Sequence, residues 1–173
     1  MEVDVFIPCF IDQLYPETAS NFIKVLEKAG CKVFYNPAQT CCGQPSFNSG
    51  YWKETRELAK KFLIDFNSGR VIVAPSASCT GFIRNYYEKL FADDVVLLAE
   101  VKKLTPKVFE FTDFLVNHLK QTEFGAEFHH KVTFHDACSG LREYGIKDEP
   151  RILLQNVKGL ELIEMENTNV CCG

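Results

Sequence analysis

The chain lacks three features that would each point to a class of function. Its 173 residues carry a formal net charge of −4 and a pI near 5.6, so the basic surface of a nucleic-acid-binding protein is missing. No apolar run reaches the roughly 20 residues of a membrane span. Residues 1–4 lack the positively charged head with which a signal peptide begins. We therefore expect a soluble cytoplasmic protein that binds no nucleic acid and has no transmembrane segment.

A CxxC motif is also missing, although the chain has eight cysteines. In a secreted domain of this size, so many cysteines would indicate a disulfide framework. Without a secretion signal, thiolate chemistry is the better interpretation. The content of 46% hydrophobic and 24% charged residues is ordinary for a folded protein, so we do not expect long disordered regions.

A Cys-Cys-Gly sequence occurs at residues 41–43 and again at 171–173. Each copy follows a lone cysteine, Cys9 or Cys138, by a little over thirty residues. Adjacent cysteines are poorly suited to disulfides, because neighbouring Cα atoms lie about 3.8 Å apart and a relaxed bridge prefers roughly 4.4–6.8 Å. Metal or cluster ligation tolerates adjacency better. The seven cysteines assigned to such sites are Cys9, Cys41, Cys42, Cys79, Cys138, Cys171 and Cys172.

Short β-prone runs alternate with helical patterns along the chain. The predicted strands are residues 3–7, 32–35, 71–74, 131–135 and 160–163. The predicted helices are residues 16–29, 53–66 and 81–91, a short one within the connector 93–106, residues 108–119, and one that begins at Pro150. Such alternation is typical of α/β proteins, because right-handed crossovers bring successive strands together in a parallel sheet.

The end of the chain repeats its beginning at a nearly constant offset. Cys9 and Cys138 are 129 residues apart, Gly30 and Gly159 are 129 apart, and the two cysteine pairs are 130 apart. We therefore predict two tandem Rossmann-like repeats, the second incomplete. The first repeat with its connector helix covers residues 1–120, a polar linker covers 121–130, and the truncated second repeat covers 131–173.

Each candidate ligand of the first repeat follows a predicted strand. Cys9 comes after the first strand, the 41–42 pair after the second, and Cys79 after the third, at a helix start that lowers a thiol pKa. Because the carboxyl ends of parallel strands meet at one sheet edge, these four thiols are predicted to converge. Four thiolates suffice for an iron–sulfur cluster or a tetrahedral zinc ion. Cys138 and the 171–172 pair would form a second, incomplete site.

The cysteines allow three other interpretations. Structural zinc sites commonly use two short knuckles, for which adjacent ligands are a poor fit. A thiol-disulfide enzyme would use Cys79 as nucleophile and the 41–42 pair as a strained bridge, but it lacks a CxxC pair. A buried apolar thiol is the best interpretation of Cys31, which begins a predicted strand and has no counterpart at Leu160.

Four segments of the chain resemble a known family: residues 7–12, 40–45, 75–80 and 134–138, which read IPCFID, TCCGQP, PSASCT and FHDAC. They resemble the cysteine-rich CCG domain family, whose pattern is a cysteine, Cys-Cys-Gly and CxxC at spacings of thirty-odd residues, in two copies. Lactate-utilisation members are more similar than the glycolate oxidase or heterodisulfide reductase members of the family. This chain departs from the family pattern at two places. Ser76 stands where the first CxxC has its first cysteine, and the second CxxC would lie beyond Gly173.

The resemblance implies an iron–sulfur subunit of a system that oxidises L-lactate to pyruvate. It implies a [4Fe–4S] cluster on cysteine thiolates and an electron-relay role, with no catalytic residue for lactate itself in this chain. The implied partners are other subunits of a lactate oxidation complex, and a peripheral membrane or quinone-linked partner is compatible. The alternatives are a subunit of a glycolate oxidase or heterodisulfide-reductase-like complex, or a zinc-binding structural or interaction module.

Overall fold

The computed structural model describes residues 1–171, in which the strands form two parallel sheets. The larger sheet has the order β2-β1-β3-β4, with β1 at Glu2–Val5, β2 at Lys32–Tyr35, β3 at Val71–Ala74 and β4 at Val108–Glu110. The smaller sheet pairs β5 (Lys131–Val132) with β6 (Glu161–Leu162). The predicted α/β class, with a parallel sheet in each half, is confirmed.

Helices connect the strands and cover the larger sheet. The α-helices are α1 (Cys9–Leu14), α2 (Pro16–Lys28), α3 (Gln44–Asn48), α4 (Trp52–Asp65), α5 (Ala77–Leu90), α6 (Val95–Leu104), α7 (Phe111–Asp113) and α8 (Asp148–Gln155). A 3-10 turn covers Thr105–Lys107, and π-helical turns cover Phe114–His118 and Ser139–Tyr144. Within residues 1–171, no helix is long and apolar enough to cross a membrane.

Both faces of the larger sheet are buried, as is usual for parallel sheets. Alternate residues of β3 point to opposite faces: Ile72 and Ala74 join a core with α4, α5 and α6, whereas Val73 joins a core with α2 and the 111–119 segment. Cys31 lies in the second of these cores, 6% exposed, as expected for an apolar thiol. The strands that precede the first cysteine set are therefore fixed from two sides.

Local signals set several helix ends. Helix α2 begins at Pro16, a residue suited to the first helical position, and Gly30 follows its end with φ +79°. Helix α5 begins four residues before the predicted start at 81, because the Ser76 side chain caps it by accepting a hydrogen bond from Cys79 N–H. Cys79 therefore lies within the first turn of the helix. Similarly, Cys9 is the first residue of α1, where the sequence predicts a loop.

The prediction of a single helix over residues 108–119 is wrong. Its first three residues form the edge strand β4, in which Val108 pairs with Ile72 and Glu110 with Ala74; only residues 111–118 are helical. The apolar spacing fits a helix, but pairing with β3 decides the conformation, because strand preference depends on tertiary context. Strands β5 and β6 are also shorter than predicted, with two residues each.

The beginning of the second repeat packs on α5 of the first. A side chain at Gly81 would meet Glu143 Cβ at 3.3 Å, so glycine permits this close approach. Asn85 Nδ2 donates to the Glu143 carbonyl at 2.6 Å, and Tyr144 Oη donates to Asp113 Oδ2 at 2.7 Å. The Ser139–Tyr144 turn is thus built against the first repeat, while the predicted boundaries at residues 120 and 130 stay a prediction.

Candidate functional site

Four cysteines of the first repeat line one cavity at the carboxyl edge of the larger sheet. Cys9 follows β1, Cys41 and Cys42 lie between β2 and α3, and Cys79 follows β3. Because β2, β1 and β3 are neighbours in the sheet, the loops after them meet. The cavity has a volume of about 260 Å³ and is lined by Pro8, Cys9, Phe10, Ile11, Cys41, Cys42, Gln44, Pro45, Pro75, Ser76, Ser78 and Cys79.

The four thiols form a continuous chain of contacts. Cys9 Sγ donates to Cys41 Sγ at 3.5 Å, Cys41 contacts Cys42, and Cys42 contacts Cys79. The two ends of this chain differ in burial: Cys9 is exposed and Cys41 is half-buried, whereas Cys42 is 1% and Cys79 is 9% exposed. The cavity therefore has a solvent side at Cys9 and a buried side at Cys42 and Cys79.

Contact between thiols shifts their pKa values in opposite directions. The pKa of Cys41 is lowered to about 5, first by its hydrogen bond with Cys42 and then by the Gly43 N–H and Cys9. Burial, followed by contact with Cys41, raises the pKa of Cys9 to about 11. Contacts with Cys41 and Cys79, together with burial, raise the pKa of Cys42. The pKa values of neighbouring thiols are thus lowered and raised in turn, and bound positive charge is needed for all four to ionise.

Gly43 shapes the turn after the cysteine pair. Its φ is +93°, and it precedes the first residue of α3. A side chain there would also meet Thr55 Cγ2 at 3.2 Å. Ser46 Oγ donates to the Gly43 carbonyl at 2.8 Å and lies 2.9 Å from Thr55 Oγ1. The turn and its packing on α4 therefore both require glycine.

Tyr87 supports the cysteine pair from within the core. Its side chain is fully buried on α5, and its hydroxyl donates to the Cys42 carbonyl at 2.8 Å. Burial raises the pKa of Tyr87, so the hydroxyl keeps the proton that it donates. The sequence did not predict this residue, whose only signal is a position two helical turns after Cys79 on the apolar face of the helix.

The donor set of the cavity fits a thiophilic metal group. Among residues 1–171, no three His, Cys, Asp or Glu side chains already surround one point as the ligands of a single ion do. The four thiols nevertheless line a shared cavity, and none of the described lining residues has a carboxylate, ammonium or guanidinium group. Soft thiolates in apolar surroundings favour iron–sulfur clusters and zinc over magnesium or calcium. Cys9, Cys41, Cys42 and Cys79 are the residues that could hold such a group.

The cysteines of the second set lie on two segments that contact each other. Cys138 immediately precedes the Ser139–Tyr144 turn and is half-buried, whereas Cys171 is exposed. Asp136 N–H donates to the Thr168 carbonyl at 2.9 Å, so the segment before Cys171 runs beside the segment before Cys138. Cys172 lies outside the described residues. A second ligand set at these three cysteines therefore stays a prediction.

Polar contacts hold together the region around the second cysteine set, residues 131–171, which is called the second region below. His135 Nε2 donates to the Val170 carbonyl at 2.9 Å. Arg151 Nη1 donates to Asp136 Oδ1 at 2.7 Å, and its Nε donates to Glu164 Oε1 at 2.6 Å. The guanidinium holds the pKa of Asp136 below its usual range. One arginine thus ties α8 to the residues that precede both cysteines.

The helix starts beside Cys79 and Cys138 contact each other. A side chain at Gly140 would lie 3.6 Å from Ala77 Cβ. Ala77 is the first residue of α5, two residues before Cys79, and Gly140 is two residues after Cys138. The contact between the repeats therefore lies beside a cysteine of each set.

Comparison with known proteins assigns the family. The model of the cysteine-rich CCG domain matches residues 3–84 and 132–173, which together cover more than half of the chain. This chain belongs to the cysteine-rich CCG domain family. The two matched ranges contain the two cysteine sets of this CCG chain, so the predicted family and its duplication are confirmed.

Relatives of this CCG chain are similar to it over its whole length. Lactate utilization protein A of Geobacillus kaustophilus (strain HTA426) is 43% identical over 173 residues, which are all of this chain and 72% of that protein. Lactate utilization protein A 1 of Bacillus mycoides (strain KBAB4) is 40% identical over all of the chain and 71% of its own length. Lactate utilization protein A of Bacillus subtilis (strain 168) is 38% identical, with 72% of its length covered.

A larger cavity of the CCG chain lies away from its cysteines. Its volume is about 430 Å³, and it lies near the start of β3 between α4 and α6, with Arg70 and Lys107 among its lining residues. No described cysteine lines it. Its Lys107 donates to the Gly69 carbonyl at 3.0 Å, and its Arg70 pairs with Asp4. This cavity is therefore separate from the cavity that the four cysteines line.

Proposed function

We propose that this chain is an iron–sulfur electron-transfer subunit of a cytoplasmic system that oxidises L-lactate to pyruvate. The observation that carries the proposal is the convergence of four thiols on one cavity. Similarity to lactate utilization protein A over all 173 residues supports the metabolic assignment. Other subunits of the lactate oxidation system, with a peripheral membrane or quinone-linked acceptor, would be its partners.

In this proposal, Cys9, Cys41, Cys42 and Cys79 hold a [4Fe–4S] cluster. Such a cluster, when bound, accepts and donates single electrons. Cys42 and Cys79 fix the buried side of the site, because both residues belong to the hydrophobic core. The Gly43 N–H, which donates to Cys41 Sγ at 3.4 Å, stabilises negative charge on sulfur. The exposed Cys9 side gives a redox partner its shortest approach.

The residues around the cavity favour a relay over a lactate dehydrogenase. Oxidation of lactate requires a base for the hydroxyl proton and an acceptor for a hydride or its equivalent. The described lining residues of the cavity include no histidine, lysine, aspartate or glutamate. Substrate oxidation would then occur in another subunit, and this chain would carry the electrons onward.

Metal analysis after anaerobic purification tests the proposal. We expect a brown protein that contains iron and acid-labile sulfide, and an electron paramagnetic resonance signal that changes on reduction with dithionite. Reconstituted with its partner proteins, it should be reduced when L-lactate is added. A colourless protein with stoichiometric zinc and no iron would contradict the proposal.

Zinc is the second candidate, because the distance between two of the thiol sulfurs fits a zinc site. Zn–S bonds of about 2.3 Å place the thiolates of a tetrahedral site about 3.8 Å apart, and the Sγ atoms of Cys9 and Cys41 are 3.5 Å apart. A zinc-bound chain would be a structural or interaction module, because zinc has no redox chemistry. The metal analysis separates the two candidates directly.

A further inference from the structure

A cavity of about 430 Å³ lies between α4 and α6, near the start of β3, whereas the four cysteines of the first set follow the ends of the strands. Its volume is within the range of roughly 300–1,000 Å³ that small-molecule sites usually have. Six of the residues that line it are apolar: Leu63, Ile64, Phe66, Ile72, Leu97 and Leu104. Sites for small molecules are likewise mostly apolar, with a few polar groups that orient the ligand.

The apolar lining of this cavity extends from the hydrophobic core to the surface. Leu63, Phe66 and Leu104 are buried and belong to the core that α4, α5 and α6 form on one face of the larger sheet. Ile64, the neighbour of Leu63 in α4, is 69% exposed. A ligand with an apolar chain would cover Ile64 and continue the core outward, and the removal of apolar surface from water favours binding.

Ion pairs within the chain leave one cation of the cavity without a carboxylate partner. Three of the four lining cations are paired: Lys60 with Glu57, Arg70 with Asp4, and Lys103 with Glu100. The fourth is Lys107, which forms no ion pair with any carboxylate of residues 1–171 and donates instead to a backbone carbonyl. The cavity therefore offers a single positive charge for a ligand to neutralise.

Contacts with the turn before β3 fix the position of the Lys107 ammonium. Lys107 ends the 3-10 turn at Thr105–Lys107 and is half-buried. Its Nζ donates to the Gly69 carbonyl at 3.0 Å and would lie 3.7 Å from a side chain at Gly69. An ammonium has three N–H donors, and this bond uses one of them. Two donors are thus left for a ligand, at a position that the folded chain has already set.

We propose that this cavity binds a monocarboxylic acid with an aliphatic chain, with the carboxylate on Lys107 and the chain against Ile64 and the core residues beside it. One unpaired cation matches one negative charge, whereas a phosphate or a dicarboxylate would leave a charge without a partner. Small acids such as lactate have too little apolar surface to cover the six apolar side chains. The inference does not depend on the proposed electron-transfer function, because the cavity is separate from the one that the cysteines line.

Nuclear magnetic resonance titration of the full chain with octanoate tests the inference. Octanol, with the same chain and no charge, measures the part of the carboxylate, and acetate, with the charge and almost no chain, measures the part of the apolar surface. Octanoate should bind at one site and shift the amide signals of α4 and α6. Its affinity should be about tenfold higher than that of octanol, because a hydrogen bond between charged groups is added. Acetate should show no saturable binding.

Two substitutions with matched controls assign the affinity to the two parts of the site. Lys107→Met, which keeps the aliphatic stem, should weaken octanoate binding about tenfold and leave octanol binding unchanged. Lys102→Met removes the same charge from an exposed position of α6 outside the cavity and should change neither. Ile64→Ser should weaken the binding of both ligands about threefold. Val96→Ser, at a 73% exposed position of α6 outside the cavity, should not.

Three results would overturn the inference. One is equal affinity of wild type for octanoate and octanol, and another is unchanged octanoate binding in a folded Lys107→Met protein. The third is the absence of octanoate binding to wild type. If wild type then self-associates in sedimentation velocity and Ile64→Ser does not, the cavity is a contact between two copies of the chain. The iron and sulfide content of the protein, which tests the proposed function, is measured independently of all three.

Discussion

The first cysteine set is held by a packed core, whereas the second is held by polar contacts near the surface. The three strands that precede the first set have four residues each, and Cys42 and Cys79 are part of an aromatic-rich core. Strands β5 and β6 of the second region have two residues each, and Cys171 is exposed. The same motif thus receives very different support in its two copies.

This difference shows that a repeated motif does not by itself make two equal sites. Ligands bind tightly when the surrounding structure has already fixed their positions. In the first repeat, buried strands and helices fix the loops of four cysteines. In the second region, hydrogen bonds from His135, Asp136 and Arg151 fix the segments near Cys138 and Cys171. We expect the first cysteine set to bind its metal group more tightly than the second.

Removing a buried cysteine of the first set should have the largest effect, which is the loss of bound metal. Cys42→Ala should abolish metal binding at the first set, because it deletes the thiol that links Cys41 to Cys79. Iron and zinc content measured after anaerobic purification checks this. Cys31→Ala is the matched control, since Cys31 is similarly buried but lies in the other core. Equal metal loss in both variants would refute the ligand assignment.

Breaking the Arg151 contacts should loosen the second region and leave the first set intact. Arg151→Met leaves the Asp136 carboxylate buried without its cation, which costs about 3 kcal/mol. Amide hydrogen exchange should then increase in residues 131–171 and stay unchanged in β1 and β3. Arg142→Met is the control, because Arg142 makes one longer bond, to the Asn169 carbonyl at 3.3 Å. A uniform increase across the chain would argue against separate support of the two regions.

Removing the Tyr87 hydroxyl should weaken the support of the first set. Tyr87→Phe leaves the Cys42 carbonyl without this buried donor, at a cost of about 1–3 kcal/mol. Urea unfolding of the metal-free protein measures the change. Tyr86→Phe is a control on the same helix, because Tyr86 is half-buried and stacks on Phe82 at 5.5 Å through its ring. Equal losses in both variants would contradict the role given to Tyr87.

The smallest loss of stability is expected from replacing Gly43, the glycine in the turn after the cysteine pair. Gly43→Ala places a side chain at φ +93° and close to Thr55, so unfolding free energy should fall by about 1–2 kcal/mol. Gly30→Ala has a similar φ of +79° but nothing within 4 Å of the new side chain. The difference between the two variants measures the packing of the cysteine turn on α4. No difference would mean that backbone strain alone requires Gly43.

Much of the fold could be predicted because its signals are local. The buried run 71–74 and the amphipathic patterns around α2 and α4 reflect periods that a strand or a helix imposes on its own residues. Strand β4 could not be predicted, because its conformation depends on pairing with β3, more than thirty residues earlier. The roles of Tyr87 and Ser76 were missed for the same reason, since each depends on what the folded chain brings beside it.

The sequence by itself determined the alternation of strands and helices apart from β4 and the short helix at Cys9, together with the duplicated motif and the chemistry of the donors. Only the tertiary structure decided that Cys9, Cys41, Cys42 and Cys79 line one cavity, which of them are buried, and how their contacts distribute charge. It also decided that the second region packs against α5 through Gly81. The physical reason is that residue spacing encodes local periodicity, whereas pKa values and contacts depend on burial and on neighbours distant in the chain.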